Sequence, residues 1–552
     1  MITSADTQLD SRGTAPGVSV SGLRVVAGER TLVAPVDFSV APGELLAVIG
    51  ESGSGKSMTA RALTGLLPRG VHATGDARID DHAYDLASGR DADWAAVRGR
   101  RAVLLLQDPF TSLSPVLRCG AQIADTIEAR AAATGQRLAA TAVRAEVLRR
   151  LAEVRLPERV ARQYPSELSG GMRQRVAIAA ALAADPRLLI ADEPTTALDA
   201  STQGEVLDLL RELQLAHQMS LILISHDLGV IEGRADRVLV MRHGEVVERG
   251  DTAAVLRAPE HPYTRQLIAA NLSVSDDLRE PSERPAPLLE AEHLSKRFGA
   301  TTALADATVS VAAGEVLAIV GESGSGKTTL ARAIAGLERP DTGEVRLAGR
   351  TLPPGRRGRT PGEIQVVFQD PYSTLNPVFT IRESLDEALR AGGRGAGRAQ
   401  AGGQGARSVD ELLRLVELDP ALADRRPAQL SGGQRQRVAI ARALAPNPQV
   451  LICDESVSAL DVSVQAQILG LLARLRDELQ LAMLFITHDL GVVARIADRI
   501  TVLRLGEIVE QGDTGSVLRA PQHPYTQLLV AAAERDSIAR GHDESLPREE
   551  RA

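Results

Sequence analysis

Short apolar runs alternate along most of the chain with longer segments that have the spacing of helices. In the first half, runs of this kind end at Ile49, Leu106, Ala191 and Ser225. Unbroken apolar runs are typical of strands buried on both faces, so the pattern predicts a mostly parallel sheet with helices on both sides. Ligands of such sheets bind beyond the carboxyl ends of the strands. The residues that follow the runs are therefore the candidates for a functional site.

The second half of the chain repeats the first. Gly50 and its counterpart Gly321 lie 271 positions apart, and the later matched positions lie 262 apart. These later pairs are Gln107 and Gln369, Leu168 and Leu430, Asp192 and Asp454, and His226 and His488. The first copy therefore has nine extra residues, which we place in the polar region from 74 to 101. A constant spacing over this length indicates that a whole fold is duplicated.

The repeat and the composition between its copies predict how the chain is divided. We expect residues 17–272 and 288–535 to form one domain each. Residues 273–287 are rich in Pro, Ser, Asp and Glu, which is typical of an exposed linker. We expect residues 1–16 and 536–552 to be disordered.

Each copy contains one loop of the form GxxxxGK followed by Ser or Thr, directly after an apolar run. The two loops are Gly50, Glu51, Ser52, Gly53, Ser54, Gly55, Lys56 and Ser57, and Gly321, Glu322, Ser323, Gly324, Ser325, Gly326, Lys327 and Thr328. The glycines let backbone N–H groups surround a phosphate chain, and the following helix adds its positive N-terminal end. The lysine would reach the β- and γ-phosphates, and the final hydroxyl would bind Mg²⁺.

The use of lysine supports this interpretation. Only three of the 63 Lys and Arg residues are lysines, and two of these are Lys56 and Lys327. The third is Lys296. A compact ammonium fits beneath a phosphate where a planar guanidinium does not, so lysine stands where the chemistry requires it.

Polar residues follow the later apolar runs in both copies. Asp192 and Asp454 could hold Mg²⁺, and Glu193 and Glu455 could orient or deprotonate an attacking water. His226 and His488 could contact the γ-phosphate, and Gln107 and Gln369 could touch Mg²⁺ or the water. Adjacent acids after a strand also occur at ordinary helix N-termini, and a single His or Gln there is often a plain loop residue. Their equal spacing in the two copies favours the site.

A further motif places Ser before two glycines and a helical run. It consists of Ser169, Gly170 and Gly171 in the first copy and Ser431, Gly432 and Gly433 in the second. The pattern predicts a capped helix whose N-terminus can bind an anion. Composition leaves the identity of that anion open.

Composition limits the class of protein. The net charge of −8 argues against a surface that coats nucleic acid. No apolar run approaches the ~18 residues that span a bilayer, and residues 1–16 lack the features of a signal peptide, so we expect a soluble, cytoplasmic protein. The two cysteines, Cys119 and Cys453, are too few for a disulfide framework or a cysteine-held iron–sulfur cluster, and Cys453 is expected to be buried.

With these motifs in this order, each half resembles the nucleotide-binding domain of ABC transporters. The resemblance implies two tandem P-loop NTPase domains of α/β class, each with a mostly parallel sheet core, an antiparallel β subdomain and a helical subdomain. It also implies ATP and Mg²⁺ as ligands and a head-to-tail pseudo-dimer within the chain. Lys56, Asp192, Glu193 and His226 would share a site with Ser431, Gly432 and Gly433. Lys327, Asp454, Glu455 and His488 would share the other with Ser169, Gly170 and Gly171. Asp199 and Asp461 look like the cross-interface loop of the family.

The segment AP-x-HPYT narrows the resemblance to the ATPases of oligopeptide, dipeptide and nickel importers. It occupies residues 258–264 and 520–526, and a QDP-x-x-x-L-x-P loop begins at Gln107 and Gln369. The resemblance implies a peripheral motor on the cytoplasmic face of the membrane that drives two permease subunits fed by an extracytoplasmic solute-binding protein. Helical subdomains ending near Pro165 and Pro427 would receive the permeases. It implies no nucleic acid, and the solute, peptide or otherwise, is selected by subunits outside this chain.

The two copies depart from the family pattern in different ways. In the family, an aromatic residue stacks on adenine. Phe298 matches this residue in the second copy, whereas the same position in the first copy is Ala27. Met172 replaces the usual Gln of the LSGGQ segment. Both glutamates and both histidines are present, so we expect two hydrolysing sites of unequal affinity.

Two other functions are compatible with twin domains of this kind. A soluble translation factor on the ribosome would have a long, basic connector, whereas residues 273–287 are short and acidic. A DNA-repair ATPase would have zinc-binding cysteines or a coiled-coil insertion, and the sequence contains neither. The sequence therefore favours transport.

Overall fold

The computed structural model describes most of the chain as two compact units that divide at residue 271. The described residues are 17–107, 112–195, 200–270, 286–322, 324–355, 358–369, 374–395, 407–457, 460 and 462–538. The predicted N-terminal segment, most of the predicted linker and residues 539–552 lie outside them.

The first unit contains ten described strands and nine described α-helices. The strands are β1 (Val18–Ala27), β2 (Arg30–Val40), β3 (Leu45–Ile49), β4 (Val71–Ile79), β5 (His82–Asp85), β6 (Ala102–Leu105), β7 (Leu188–Asp192), β8 (Ser220–Ser225), β9 (Arg237–Arg242) and β10 (Glu245–Asp251). The helices are α1 (Lys56–Leu63), α2 (Asp91–Val97), α3 (Cys119–Ala133), α4 (Ala140–Glu153), α5 (Gly170–Ala183), α6 (Ala200–His217), α7 (Leu228–Ile231), α8 (Thr252–Arg257) and α9 (Pro262–Ala270).

The second unit repeats this order. Its strands are β11 (Pro287–Phe298), β12 (Thr301–Ala312), β13 (Val316–Val320), β14 (Thr342–Leu347), β15 (Arg350–Leu352), β16 (Ile364–Val367), β17 (Val450–Asp454), β18 (Ala482–Ile486), β19 (Arg499–Arg504) and β20 (Glu507–Asp513). Its described helices are α10 (Lys327–Ile334), α11 (Ile381–Gly395), α12 (Val409–Leu415), α13 (Gly432–Leu444), α14 (Val462–Leu479), α15 (Leu490–Ile496), α16 (Thr514–Arg519) and α17 (Pro524–Ile538).

Each unit is built on two sheets. In the first unit a six-stranded sheet has the order β10-β9-β3-β8-β7-β6, and its β9, β3, β8, β7 and β6 run parallel. Only β10 pairs antiparallel in that sheet. A four-stranded antiparallel sheet has the order β2-β1-β4-β5. The second unit has the same two sheets, so the predicted α/β class with an antiparallel subdomain and a helical subdomain is confirmed.

The unbroken apolar runs are explained by burial on both faces of the parallel sheet. In β3, Leu45, Ala47 and Ile49 pack into a core formed with α3, α4, α5 and α6. The alternate residues Leu46 and Val48 pack into a second core formed with α1 and the antiparallel sheet. Since neither face reaches water, every position of the strand is apolar.

The predicted strand ends agree with the structure to within one residue. Ile49 and Ser225 end β3 and β8, β6 ends at Leu105 instead of Leu106, and Asp192 is itself the last residue of β7. The region 74–101, in which we place the extra residues of the first copy, contains α2, and the Trp94 ring of α2 lies 5.7 Å from the Tyr84 ring at an angle of 74°. At the other end of the chain, α17 continues to Ile538, so residues 536–538 of the predicted tail are helical.

No helix among the described residues combines the length and the apolar character that crossing a bilayer requires. Both cysteines, Cys119 and Cys453, are fully buried, as predicted for Cys453. Burial raises the pKa of the Cys453 thiol to about 12, so it behaves as an apolar side chain.

Candidate nucleotide-binding sites

The predicted phosphate-binding loops connect β3 to α1 and β13 to α10. Each loop starts with a glycine in a conformation that other residues avoid, with φ of 146° at Gly50 and 150° at Gly321. A Cβ atom at Gly50 would lie 2.1 Å from the carbonyl oxygen of Met241, and one at Gly321 would lie 2.2 Å from that of Leu503. Glycine is therefore required at the point where the chain leaves the strand.

The loop lysines lie inside the loops. Lys56 Nζ donates to the carbonyl oxygens of Gly50 at 2.5 Å and Glu51 at 2.9 Å. Lys327 Nζ makes the equivalent bonds to its own loop at 2.7 and 2.8 Å. Both lysines are only 5% exposed. Each lysine is thus a largely buried cation at the N-terminus of a helix. Both features favour the binding of an anion such as a phosphate.

A hydroxyl and a carboxylate meet beside each loop. Ser57 Oγ, in the first turn of α1, donates to Asp192 Oδ1 at the end of β7 over 3.0 Å. Thr328 Oγ1 donates to Asp454 Oδ1 over 3.3 Å in the second unit. Burial raises the pKa of Asp192, although the bond from Ser57 and the charge of Lys56 act in the opposite direction. Paired hard oxygen atoms of this kind fit Mg²⁺, which takes a few protein oxygens and completes its shell with phosphate and water.

The adjacent glutamate is held on both of its oxygens. Glu193 Oε2 accepts a hydrogen bond from Gln107 Nε2 at 2.6 Å, and its Oε1 lies 3.1 Å from His226 Nδ1. In the second unit Gln369 Nε2 donates to Glu455 over 2.8 Å, and His488 Nδ1 lies 3.7 Å from the other oxygen. The residues predicted to follow neighbouring strands are thus brought together in both units.

The glutamate backbone is strained in both units. Glu193 and Glu455 each have φ of 48°, in the left-handed region that non-glycine residues seldom adopt. Their N–H groups donate to the carbonyl oxygens of Ile224 and Ile486 on the neighbouring strand, each over 3.0 Å. Strain of this kind persists where the surrounding structure enforces it, commonly at functional positions. The sequence pattern did not predict it.

Electrostatics in this cluster raise the pKa of both histidines and lower the pKa of Glu455. Burial lowers the pKa of His226, but the hydrogen bond and charge of Glu193 raise it more, so its pKa lies above the usual value. The same balance with Glu455 raises the pKa of His488. In return, the hydrogen bond with His488 lowers the pKa of Glu455 despite its burial. An ionised carboxylate can accept a proton from water.

The predicted capped helices are present, and their caps differ. Ser169 and Ser431 precede α5 and α13, and each Oγ accepts the N–H three residues later over 3.3 Å. Gln434 Oε1 also accepts the N–H of Ser431 at 3.0 Å, which completes a capping box. Met172 has no oxygen with which to do the same for Ser169. The first copy therefore has the weaker cap.

The proposed adenine-stacking positions are structurally equivalent. Phe298 ends β11 and Ala27 ends β1, and each pairs with the first residue of the next strand, Thr301 or Arg30. Phe298 is 50% exposed, with Lys296 Nζ 5.2 Å from its ring centroid. This exposed ring has no counterpart at Ala27. The two copies therefore differ at this position, and the unequal affinity stays a prediction.

Sequence reasoning missed one contact to each loop. The N–H of Glu51 donates to the hydroxyl of Tyr263 over 3.0 Å, and that of Glu322 donates to Tyr525 over 2.9 Å. Both tyrosines belong to the AP-x-HPYT segments, whose occurrence at the same place in both copies was the available signal.

Some predicted site residues lie outside the described part of the chain. They are Ser323 in the second loop, Asp199 and Asp461 of the predicted cross-interface loop, and residues 108–111 and 370–373 after the two glutamines.

Comparison with known protein families shows which family has this fold and these motifs. A family model described as ABC transporter matches residues 33–196 and 304–458, which together are more than half of the chain. The chain belongs to the ABC transporter family. This ABC protein is therefore an ATPase, an ATP-binding subunit of the import type. A second model, the C-terminal region of oligopeptide/dipeptide transporters, matches residues 247–300 and 509–551, which include both AP-x-HPYT segments.

Two relatives named as import proteins match most of this chain and most of their own length. The glutathione import ATP-binding protein GsiA of Salmonella choleraesuis is 42% identical over 574 aligned positions, covering 95% of this chain and 90% of the relative. The protein of the same name in Escherichia coli is 43% identical and covers 90% of this chain and 85% of the relative.

Among solved structures, the chain is similar to one in a complex of an archaeal ribosomal stalk protein with an archaeal ribosome recycling factor. The TM-score is 0.55 at 22% identity, with 86% of both chains covered. At that identity the similarity shows the twin-domain fold alone, so the predicted ribosomal alternative gains no support beyond the fold.

Proposed function

We propose that the chain is the ATP-hydrolysing motor of an ABC importer for small peptides, with glutathione-like solutes as the nearest class. The observation that carries this proposal is the repeated constellation of Lys56, Ser57, Asp192, Glu193 and His226. All five have counterparts in the second unit, in the same order and with the same contacts. The relatives named for glutathione import, which match nearly the whole chain, support the solute class.

The loop residues bind the triphosphate of ATP in this proposal. Backbone N–H groups of the two loops surround the phosphates, and Lys56 and Lys327 turn their ammonium groups from the loop carbonyls to the β- and γ-phosphates. Ser57 with Asp192, and Thr328 with Asp454, hold Mg²⁺, while Gln107 and Gln369 lie at the edge of the site. The phosphate-binding residues are Gly50 to Ser57 in the first loop and Gly321 to Thr328 in the second. When bound, Mg²⁺ neutralises developing charge on the phosphate oxygens.

Glu193 and Glu455 act as the general bases. Each carboxylate is fixed by a glutamine on one oxygen and faces a histidine with the other, so it can orient a water and accept its proton. His226 and His488 orient the glutamates and contact the γ-phosphate. Phe298 stacks on adenine at the second site, and Ala27 leaves the first site without that contact.

Each nucleotide site is completed by the opposite unit in this proposal. The N-termini of α5 and α13, with Ser169, Gly170 and Gly171 or Ser431, Gly432 and Gly433, offer N–H groups to an anion. We propose that they bind the γ-phosphate held by the other unit's loop, in a head-to-tail pseudo-dimer. Joining both units in one chain raises their effective concentration and favours this arrangement.

The partners follow from the import function. We propose two permease subunits, engaged by the helical subdomains that contain α3, α4, α11 and α12, and an extracytoplasmic solute-binding protein. The chain would sit as a peripheral protein on the cytoplasmic face of the membrane, without contact to nucleic acid. No observation favours the ribosomal alternative over this one.

Co-purification tests the proposal. The tagged chain, isolated from gently solubilised membranes of its own organism, is expected to bring down two membrane-spanning permeases, and the complex should hydrolyse ATP faster when the loaded solute-binding protein is added. Sedimentation with ribosomes instead of membranes would contradict the importer function.

A further inference from the structure

The tyrosine of each AP-x-HPYT segment contacts the second residue of the phosphate-binding loop in its own unit. The hydroxyl of Tyr263 accepts the N–H of Glu51 at 3.0 Å across 212 positions of sequence. The hydroxyl of Tyr525 accepts the N–H of Glu322 at 2.9 Å across 203 positions. The same contact therefore forms in both units, at the same backbone atom of the loop and between residues far apart in the sequence. It belongs to the repeated fold.

The rest of the segment fixes the position of this tyrosine. His261 precedes α9, and its Nδ1 accepts the N–H of Tyr263 at 3.1 Å, so the imidazole caps the helix. Pro262 occupies the first helical position, where a missing N–H costs nothing. The Glu248 carboxylate accepts the N–H groups of Glu260 at 2.8 Å and His261 at 3.0 Å. The second unit makes the same bonds with Glu510, Gln522, His523 and Tyr525.

The tyrosine ring is buried against the strand that also shapes the loop. Tyr263 is 2% exposed, and the Arg242 guanidinium carbon lies 4.8 Å from its ring centroid. Arg242 ends β9, and its neighbour Met241 supplies the carbonyl oxygen that excludes a side chain at Gly50. Tyr525 is 4% exposed and lies under Arg504 at 5.0 Å. The ring and the loop are therefore held by the same strand end.

The contacted peptide unit also positions the loop lysine. This unit joins Gly50 to Glu51: its carbonyl oxygen, that of Gly50, accepts a hydrogen bond from Lys56 Nζ at 2.5 Å, and its N–H, that of Glu51, donates to the Tyr263 hydroxyl. The next carbonyl oxygen, that of Glu51, also accepts from Lys56 Nζ at 2.9 Å and from the N–H of Ser54 at 3.1 Å. Removing the hydroxyl would leave a partly buried N–H without this partner and loosen the peptide unit that contacts Lys56.

We propose that Tyr263 and Tyr525 are positioning residues for nucleotide binding, which connect the C-terminal element of each unit to its phosphate-binding loop. The inference rests on the proposed function, since it assigns the loops to ATP. The AP-x-HPYT segment then acts on the nucleotide site through one hydroxyl, in addition to stabilising the fold.

The test isolates one nucleotide site at a time in the full chain. In a K327A background, which leaves the first site, Y263F is expected to raise the Kd for MgATP about tenfold and to raise KM similarly, with kcat at saturation within about twofold. Y525F in the same background is the matched control and is expected to leave Kd within about twofold. In a K56A background, which leaves the second site, Y525F is expected to raise the Kd about tenfold. Y263F is then the control and is expected to leave the Kd within about twofold. Phenylalanine keeps the ring and its contact with arginine.

Amide hydrogen exchange provides a readout that does not depend on activity. Y263F is expected to accelerate exchange in residues 50–54 and to leave residues 321–322 and 324–325 unchanged. Y84F is a second control, because the buried Tyr84 hydroxyl donates to the Leu63 carbonyl oxygen away from the loop. It is expected to lower thermal stability without changing Kd.

The outcomes separate this inference from the proposed function. If Y263F lowers thermal stability but leaves Kd, KM and exchange of the Glu51 amide unchanged, the hydroxyl has a structural role only and the inference is overturned. If the folded, unsubstituted chain fails to bind MgATP, the proposed function itself fails, and the inference fails with it.

Discussion

Glu193 and His226 face each other across 3.1 Å, from Oε1 to Nδ1, at the ends of two adjacent parallel strands. The same pair in the second unit, Glu455 and His488, is separated by 3.7 Å. Gln107 or Gln369 donates to the other carboxylate oxygen, so each glutamate is contacted on both of its oxygens. The two sites thus share one geometry, with a looser contact in the second.

Removing the histidine is expected to affect turnover more than binding. In a chain that carries E455Q, so that only the first site hydrolyses ATP, H226A should lower kcat about a hundredfold because the glutamate loses its orientation. KM should change by less than about threefold. Steady-state hydrolysis of MgATP measures both constants. H72A, which alters an exposed histidine of β4, is the control, and an equal effect of the two substitutions would contradict the assignment.

The incomplete cap of α5 predicts that M172Q stabilises the first unit. Glutamine would let the side chain at 172 accept the N–H of Ser169, as Gln434 does for Ser431. We expect a gain of about 0.5–1 kcal/mol and a rise of roughly 2 °C in the midpoint of that unit's unfolding transition. Differential scanning calorimetry measures the shift. The reverse substitution Q434M should lower the second transition by a similar amount, and unchanged midpoints in both would show that the box contributes nothing.

The unequal adenine platforms predict unequal affinities. In a K327A chain, A27F should lower the Kd of the first site for MgATP about five- to tenfold, because an aromatic ring at the end of β1 can stack on the base. In a K56A chain, F298A should raise the Kd of the second site by a similar factor. Equilibrium dialysis with labelled ATP measures both. Binding that is insensitive to both changes would place adenine elsewhere.

Much of this site follows from the sequence because strand ends and motifs are local features. The apolar runs that end at Ile49 and Ser225 are the observed strands, and parallel pairing brings Asp192, Glu193 and His226 to one edge of the sheet. Burial on both faces leaves an unbroken apolar pattern, which is the strongest signal a parallel strand can give.

The features that the sequence did not predict depend on contacts between distant residues. The left-handed conformation of Glu193 accompanies a hydrogen bond from its N–H to the carbonyl oxygen of Ile224 on the next strand. The contact of Tyr263 with Glu51 spans 212 positions. Local patterns report which side chains are buried, but they do not report which distant backbone group a buried hydroxyl meets. Only the repetition of AP-x-HPYT in both copies pointed to such a role.

We propose Glu193 and Glu455 as the bases with which this chain hydrolyses ATP, and turnover of MgATP by the E193Q/E455Q chain tests that assignment. Glutamine keeps the shape and the contact with the neighbouring amide but cannot accept a proton. We expect kcat to fall at least about a hundredfold while two MgATP remain bound per chain. E212Q, an exposed glutamate paired with Arg155, should leave kcat unchanged. Turnover within about threefold of the parent in the double variant would contradict the assignment of these glutamates as the bases.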